Sequence, residues 1–83
     1  TDEYIKYKDR VHDVHVKDVT GATADGRTIA IGRGVIDIPK FLSALVEHNY
    51  NGVVSLEYEA DAKDPLPGSA ESIGYLRGVM AMM

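Results

Sequence analysis

The 83-residue sequence has no cysteine, no tryptophan and a single phenylalanine. Without cysteine there are no disulfides, no thiolate metal ligands and no thiol nucleophiles. Positive charge is also scarce. Nine Lys and Arg stand against thirteen Asp and Glu, a net charge of −4 without any basic run, which argues against a nucleic-acid-binding face. Apolar residues make up 45% of the chain, yet no stretch of them approaches the length that crosses a bilayer. No basic-then-apolar leader opens the sequence, so neither a nucleic acid nor a membrane is expected as partner, and the expected location is cytoplasmic. The chain begins at Thr1 rather than at a methionine, so the natural N-terminus is expected upstream, which leaves an exported form open. The length allows one small domain at most. At this size roughly 60 to 65% of the unfolded surface is buried on folding, and a core rarely supplies more than ~3–5 kcal/mol.

What is present is a chain whose apolar period changes four times. Thr1, Asp2 and Glu3 read as an N-cap and acidic first turn leading into a short helix with Tyr4, Ile5 and Tyr7, ending at the Lys8-Asp9-Arg10 turn. From Val11 to Asp18 the residues alternate. Val11, Asp13, His15 and Lys17 share one face of a strand, and His12, Val14, Val16 and Asp18 share the other. Residues 19 to 37 read as a long loop containing Asp25-Gly26-Arg27 and Gly32-Arg33-Gly34, and a loop of that length in a compact domain is usually functional. Ile38, Phe41, Leu42, Leu45 and Val46 then follow helical spacing, with Asp37 as N-cap and Pro39 in the first turn. After an Asn51-Gly52 turn, Val53 to Glu59 alternates again, with Val53, Ser55, Glu57 and Glu59 opposite Val54, Leu56 and Tyr58. A polar loop over 61–68 precedes a last helix capped by Ser69, with Ile73, Leu76, Val79, Met80 and Met83 on one stripe. Helix aromatics and methionines are expected in the core.

Alternating strands and helices predict α/β architecture with parallel strands joined by crossovers. Parallel sheets are normally covered on both faces, so two strands are not a finished fold. Either the chain associates with others or it is a piece of something longer.

The polar faces of the two strands hold the candidate chemistry. In a parallel (β/α) barrel such a face points inward, and groups late in the strands line the active site. His15 and Glu57 both fall late, and an imidazole with a carboxylate suits a divalent ion such as Mn, Co, Mg or Zn. Read singly, His15 is more often a hydrogen-bonded structural residue than a ligand and Glu57 is weaker still, while Lys17 with Asp18 is equally a solvated pair at a strand end. His12 and His15 point to opposite faces and do not share an ion. His48 near a helix C-terminus is explained by the dipole alone. Gly32-Arg33-Gly34 lacks the spacing of a nucleotide-binding loop.

The ordered set Val14-His15-Val16-Lys17-Asp18, Ile31-Gly32-Arg33-Gly34-Val35-Ile36-Asp37, Phe41-Leu42 with Ala44-Leu45, Tyr50-Asn51-Gly52 and Ser55-Leu56-Glu57-Tyr58-Glu59 resembles the C-terminal part of the sugar phosphate isomerase/epimerase family. These are xylose isomerase-like barrels, which include tagatose and psicose epimerases, hydroxypyruvate isomerase and inosose dehydratase. The resemblance spans residues 4 to 80. It implies a (β/α)8 TIM barrel in which residues 1–83 form a C-terminal fragment supplying the seventh and eighth strand-helix units, incomplete as an isolated chain. It also implies that His15 and Glu57 are metal ligands, with a glutamate and an aspartate upstream of Thr1 completing the set. Glu57 further inherits an acid/base role in proton transfer through an enediolate, on a sugar or sugar phosphate. In the epimerases a substrate-binding arginine follows the metal histidine by about six residues; Gly21 stands near that place here, so Lys17, Arg27 and Arg33 are the substrate-binding candidates. The related damaged-DNA endonucleases carry an Asp-x-His pair in this loop, where this chain reads Asp25-Gly26-Arg27-Thr28. A non-catalytic self-associating module is the alternative from another class, and a dehydratase or lyase on the same barrel is a third. The expected partners are a sugar substrate and the rest of the barrel.

Overall fold

The computed structural model describes residues 1–61 and 63–83. Helix α1 (Asp2–Tyr7) leads through a 3-10 turn at Lys8–Arg10 to strand β1 (Asp13–Val16). Two short strands, β2 (Asp18–Val19) and β3 (Thr28–Ile29), precede helix α2 (Ile38–Glu47), strand β4 (Val53–Leu56) and helix α3 (Leu66–Ala81). β1 and β4 pair in parallel, with Asp13 opposite Val53, Val14 opposite Val54, His15 opposite Ser55 and Val16 opposite Leu56. The Glu57 amide donates to the Val16 carbonyl at 2.8 Å and carries the ladder one bond further. The expected α/β pairing through an α2 crossover is therefore present.

α2 forms where its local signals agree. The Asp37 carboxylate accepts the Lys40 amide at 3.1 Å, and Pro39 sits in the first turn, where a missing N–H leaves no gap in the ladder. Its apolar stripe buries Ile38, Leu42 and Leu45 in a core shared with Val14 and Val16 of β1, Tyr4 of α1 and Ile31. Tyr4 meets Phe41 edge to face at 5.7 Å and Tyr50 at 6.3 Å, contacts worth about 0.5–1.5 kcal/mol each beyond burial, and these dock α1 against α2 and the segment that follows it. Asp37→Ala is expected to cost about 1 kcal/mol, read as a lower urea midpoint with an unchanged slope.

Several expectations are corrected. The region 19–37 is not a plain loop: β2 pairs antiparallel with β3, and the Thr20 amide donates to the Arg27 carbonyl at 2.9 Å while the Arg27 amide donates to Thr20 Oγ1 at 3.0 Å. The first strand is accordingly divided at Lys17. The second ends at Leu56 rather than Glu59, and Val54, expected on its buried face, is exposed because α2 and α3 do not close over it. Val54 instead joins Leu42, Leu45, Ile73, Leu76 and Met80 in lining an open apolar groove of about 710 Å³. α3 begins at Leu66, with Pro65 in the N-cap position, so Ser69 lies inside the helix and its amide bonds to the Pro65 carbonyl at 3.0 Å. The polar loop expected over 61–68 is shortened accordingly, and Ala62 in it lies outside the described residues. Met80, Met82 and Met83 are exposed rather than core, because the one fully buried side chain of α3 is Ser72 on its loop-facing side.

Candidate functional site

Strand alternation and the parallel register bring one set of polar side chains to one face of the sheet. Asp13 and His15 of β1 are followed by Lys17 just past its end, and Ser55 of β4 is followed by Glu57 just past its end, where the Glu57 amide still bonds to the Val16 carbonyl. Asp13 Oδ2 lies 3.2 Å from His15 Nε2, and both side chains are more than half exposed. One step further along the strands, Lys17 Nζ lies 4.0 Å from Glu57 Oε2, with both side chains partly exposed. His15 and Glu57 thus occupy adjacent strands on the same face, with Glu57 one register step toward the C-terminal end. Their donor chemistry fits a divalent ion. Among the described residues no three His, Cys, Asp or Glu side chains gather into a group that could hold a metal ion. Glu59 lies beyond the end of β4, and His12 lies on the opposite strand face from His15.

Asp18 is not a solvated partner of Lys17. It is fully buried, and its carboxylate accepts four backbone amides: Val19 at 2.9 Å, Gly32 and Gly34 at 3.0 Å each, and Ile36 at 3.2 Å. Gly32-Arg33-Gly34 therefore does form an amide nest for an anion, but the anion is the chain's own. Gly32 adopts φ +95°, and Gly34 packs so closely that a Cβ there would strike the Asp18 carboxylate and the Val19 carbonyl. The Ile31 amide donates to Ser72 Oγ at 3.0 Å, which ties the same segment to α3. A sequence signal for this existed, since alternation puts Asp18 on the apolar face with Val14 and Val16, where a carboxylate needs buried donors.

The remaining candidates lie away from the His15 face. Arg33 forms a bidentate pair with Glu71 of α3, Nε and Nη2 each 2.6 Å from a carboxylate oxygen. Hydrogen bonding to Arg33 holds the Glu71 carboxyl below the usual carboxylate range, and the same bonds push the Arg33 guanidinium up. Tyr58 donates to Asp61 Oδ2 at 2.8 Å, and that bond, with desolvation next, pushes its phenol up. Arg33, Tyr58, Asp61 and Glu71 border an open cavity of about 410 Å³ with Thr28 and Pro67. Arg27 is exposed at the hairpin, where its backbone makes the bonds described above. Of the three substrate-binding candidates, the structure brings Lys17 to Glu57 and leaves Arg27 and Arg33 on the hairpin side of the fold. His48 closes α2 with its amide on the Ala44 carbonyl at 3.0 Å.

Paired parallel strands joined by a crossover helix make a β-α-β unit, the repeat from which parallel α/β folds are built. The chain belongs to the xylose isomerase-like TIM barrel family, whose model matches residues 1–79. Members of this family are mainly enzymes of the isomerase and epimerase type. No curated protein matches the chain.

Proposed function

We propose that this chain is the C-terminal part, the seventh and eighth strand-helix units, of a metal-dependent sugar or sugar phosphate isomerase or epimerase. The observation that carries the reading is the shared polar face of β1 and β4, on which family membership and register together set His15 beside the strand that bears Glu57. In this reading His15 and Glu57 hold a divalent ion together with carboxylates from other strands of the barrel. When bound, the ion polarises the substrate's carbonyl and hydroxyl oxygens and lowers the cost of the enediolate. Glu57 moves the proton at the carbon beside the carbonyl, and Lys17, 4.0 Å from Glu57 Oε2, offers its ammonium to a substrate hydroxyl or phosphate oxygen. The rest of the barrel covers the free edges of β1 and β4 and the exposed Val53 and Val54. Sugars and their phosphates of the cytoplasm are the substrate class.

His15→Ala and Glu57→Ala in the intact barrel test this. Each is expected to weaken Mn²⁺ binding by ~100-fold or more, since outer-sphere partners alone are worth about 10–100-fold. Isothermal titration with Mn²⁺ and a sugar isomerisation assay read the result. Unchanged affinity and turnover in both variants would sink the assignment.

A further inference from the structure

The Asp13–His15 contact has a chemical meaning of its own. The ring nitrogen 3.2 Å from Asp13 Oδ2 donates to that carboxylate in the tautomer that carries its hydrogen there, since an ionised carboxylate has acceptor oxygens only. That nitrogen is Nε2. A neutral imidazole has one N–H and one lone pair, so with the hydrogen on Nε2 the free lone pair lies on Nδ1. Along the strand the two neighbours stand on opposite sides of His15: Asp13 one register step toward the N-terminal end, Glu57 one step toward the C-terminal end. The imidazole therefore has a carboxylate engaged behind it and the candidate ligand carboxylate ahead of it.

We propose that Asp13 is a positioning residue that fixes the His15 ring with Nε2–H toward its own carboxylate and leaves Nδ1 as the donor to a divalent metal. The inference rests on the reading of His15 as a ligand and adds the atom that binds and the residue that sets it. Asp13 is suited to the part. It needs no backbone distortion to reach His15, because residues two apart on a strand share a face. The Asp13 carboxylate behind the ring holds it in one orientation, the usual role of a carboxylate behind a metal-bound histidine. Asp13 also acts on its surroundings electrostatically: after desolvation, its charge is the next cause that pushes the Tyr50 phenol up.

The test uses Co²⁺ with the intact protein and reads affinity by titration and the ring N–H by proton NMR. In the Co²⁺ form the His15 Nε2–H is expected as a hyperfine-shifted, exchangeable resonance, sheltered from exchange by Asp13. Asp13→Ala is expected to weaken Co²⁺ binding by ~10–100-fold and to broaden or remove that resonance. Asp13→Asn, which keeps an oxygen acceptor without the charge, is expected to retain the resonance and fall between. The exposed position of Asp13 keeps both variants folded. If His15→Ala abolishes Co²⁺ binding while Asp13→Ala changes neither affinity nor resonance, the positioning role is overturned and the metal reading stands. If Asp13→Asn loses as much affinity as His15→Ala, Asp13 is itself a ligand, which also overturns it. Unchanged affinity in His15→Ala removes the metal reading and this inference with it.

Discussion

Asp18→Ala is expected to destabilise the protein by about 3–5 kcal/mol. The carboxylate is fully buried and accepts from the Val19, Gly32, Gly34 and Ile36 amides, and a hydrogen bond to a charged group contributes about 1.5–3 kcal/mol. Those four contributions do not add, because one group makes all of them and the loop relaxes toward water once it is gone. Alanine removes the acceptor and leaves amides of residues 32–36 facing a void beside the core residue Ile31. Asparagine keeps one acceptor oxygen but turns an NH2 toward donors, so Asp18→Asn is expected to cost about 2 kcal/mol or more. Urea unfolding followed by circular dichroism reads both. A midpoint for Asp18→Ala within ~1 kcal/mol of the parent would show that the segment is held by its other attachments, the Ile31–Ser72 bond and the Arg33–Glu71 pair.

The Arg33–Glu71 pair is a weaker attachment despite its short distances. It is solvent-exposed, so salt screens it and its contribution is small. Its pH dependence has one sign. Arg33 holds the folded-state Glu71 carboxyl below its unfolded value, so the contribution is present above the ordinary carboxylate range and disappears as pH falls through the lowered value.

These attachments explain what was legible in the residues and what was not. Helix α2 was legible because its apolar stripe, Asp37 cap and early Pro39 are all local. The faces of β1 and β4 were legible because side-chain alternation is a property of the backbone, and so was the placement of His15, Lys17 and Glu57 on one side. The β2–β3 hairpin was not. Two-residue strands carry no period to detect, and their pairing is held next to a carboxylate that bonds amides 14 to 18 positions away. The start of α3 was missed because Ser69 offers a conventional cap, whereas the helix begins three residues earlier with no side-chain cap at all. The burial of Asp18 is left open by the residues around it, because a Lys-Asp pair at a strand end also resembles solvated surface. Its alternation partners Val14 and Val16, and the glycines two apart at 32 and 34, carried the opposite message.

Gly34→Ala is expected to cost about 3 kcal/mol or more, and the physical cause differs from that of most glycine substitutions. Its backbone conformation is not the left-handed one, which among the described glycines belongs to Gly32. The obstacle is space: a Cβ at Gly34 would overlap the Asp18 carboxylate and the Val19 carbonyl, and neither is the far end of a flexible side chain. Overpacking in a well-filled region typically costs about 1–3 kcal/mol, and here the displacement also stretches the charged hydrogen bond from the Gly34 amide, worth about 1.5–3 kcal/mol. Gly32→Ala differs in kind, since its Cβ would meet the Tyr75 ring and its φ would be strained. The sharper measurement is a double-mutant cycle. With Asp18→Ala already present, half of the obstacle and the hydrogen bond are gone, so adding Gly34→Ala is expected to cost at least ~1 kcal/mol less than in the parent. Strict additivity in urea unfolding would place the whole clash on the Val19 carbonyl and detach Gly34 from the Asp18 nest.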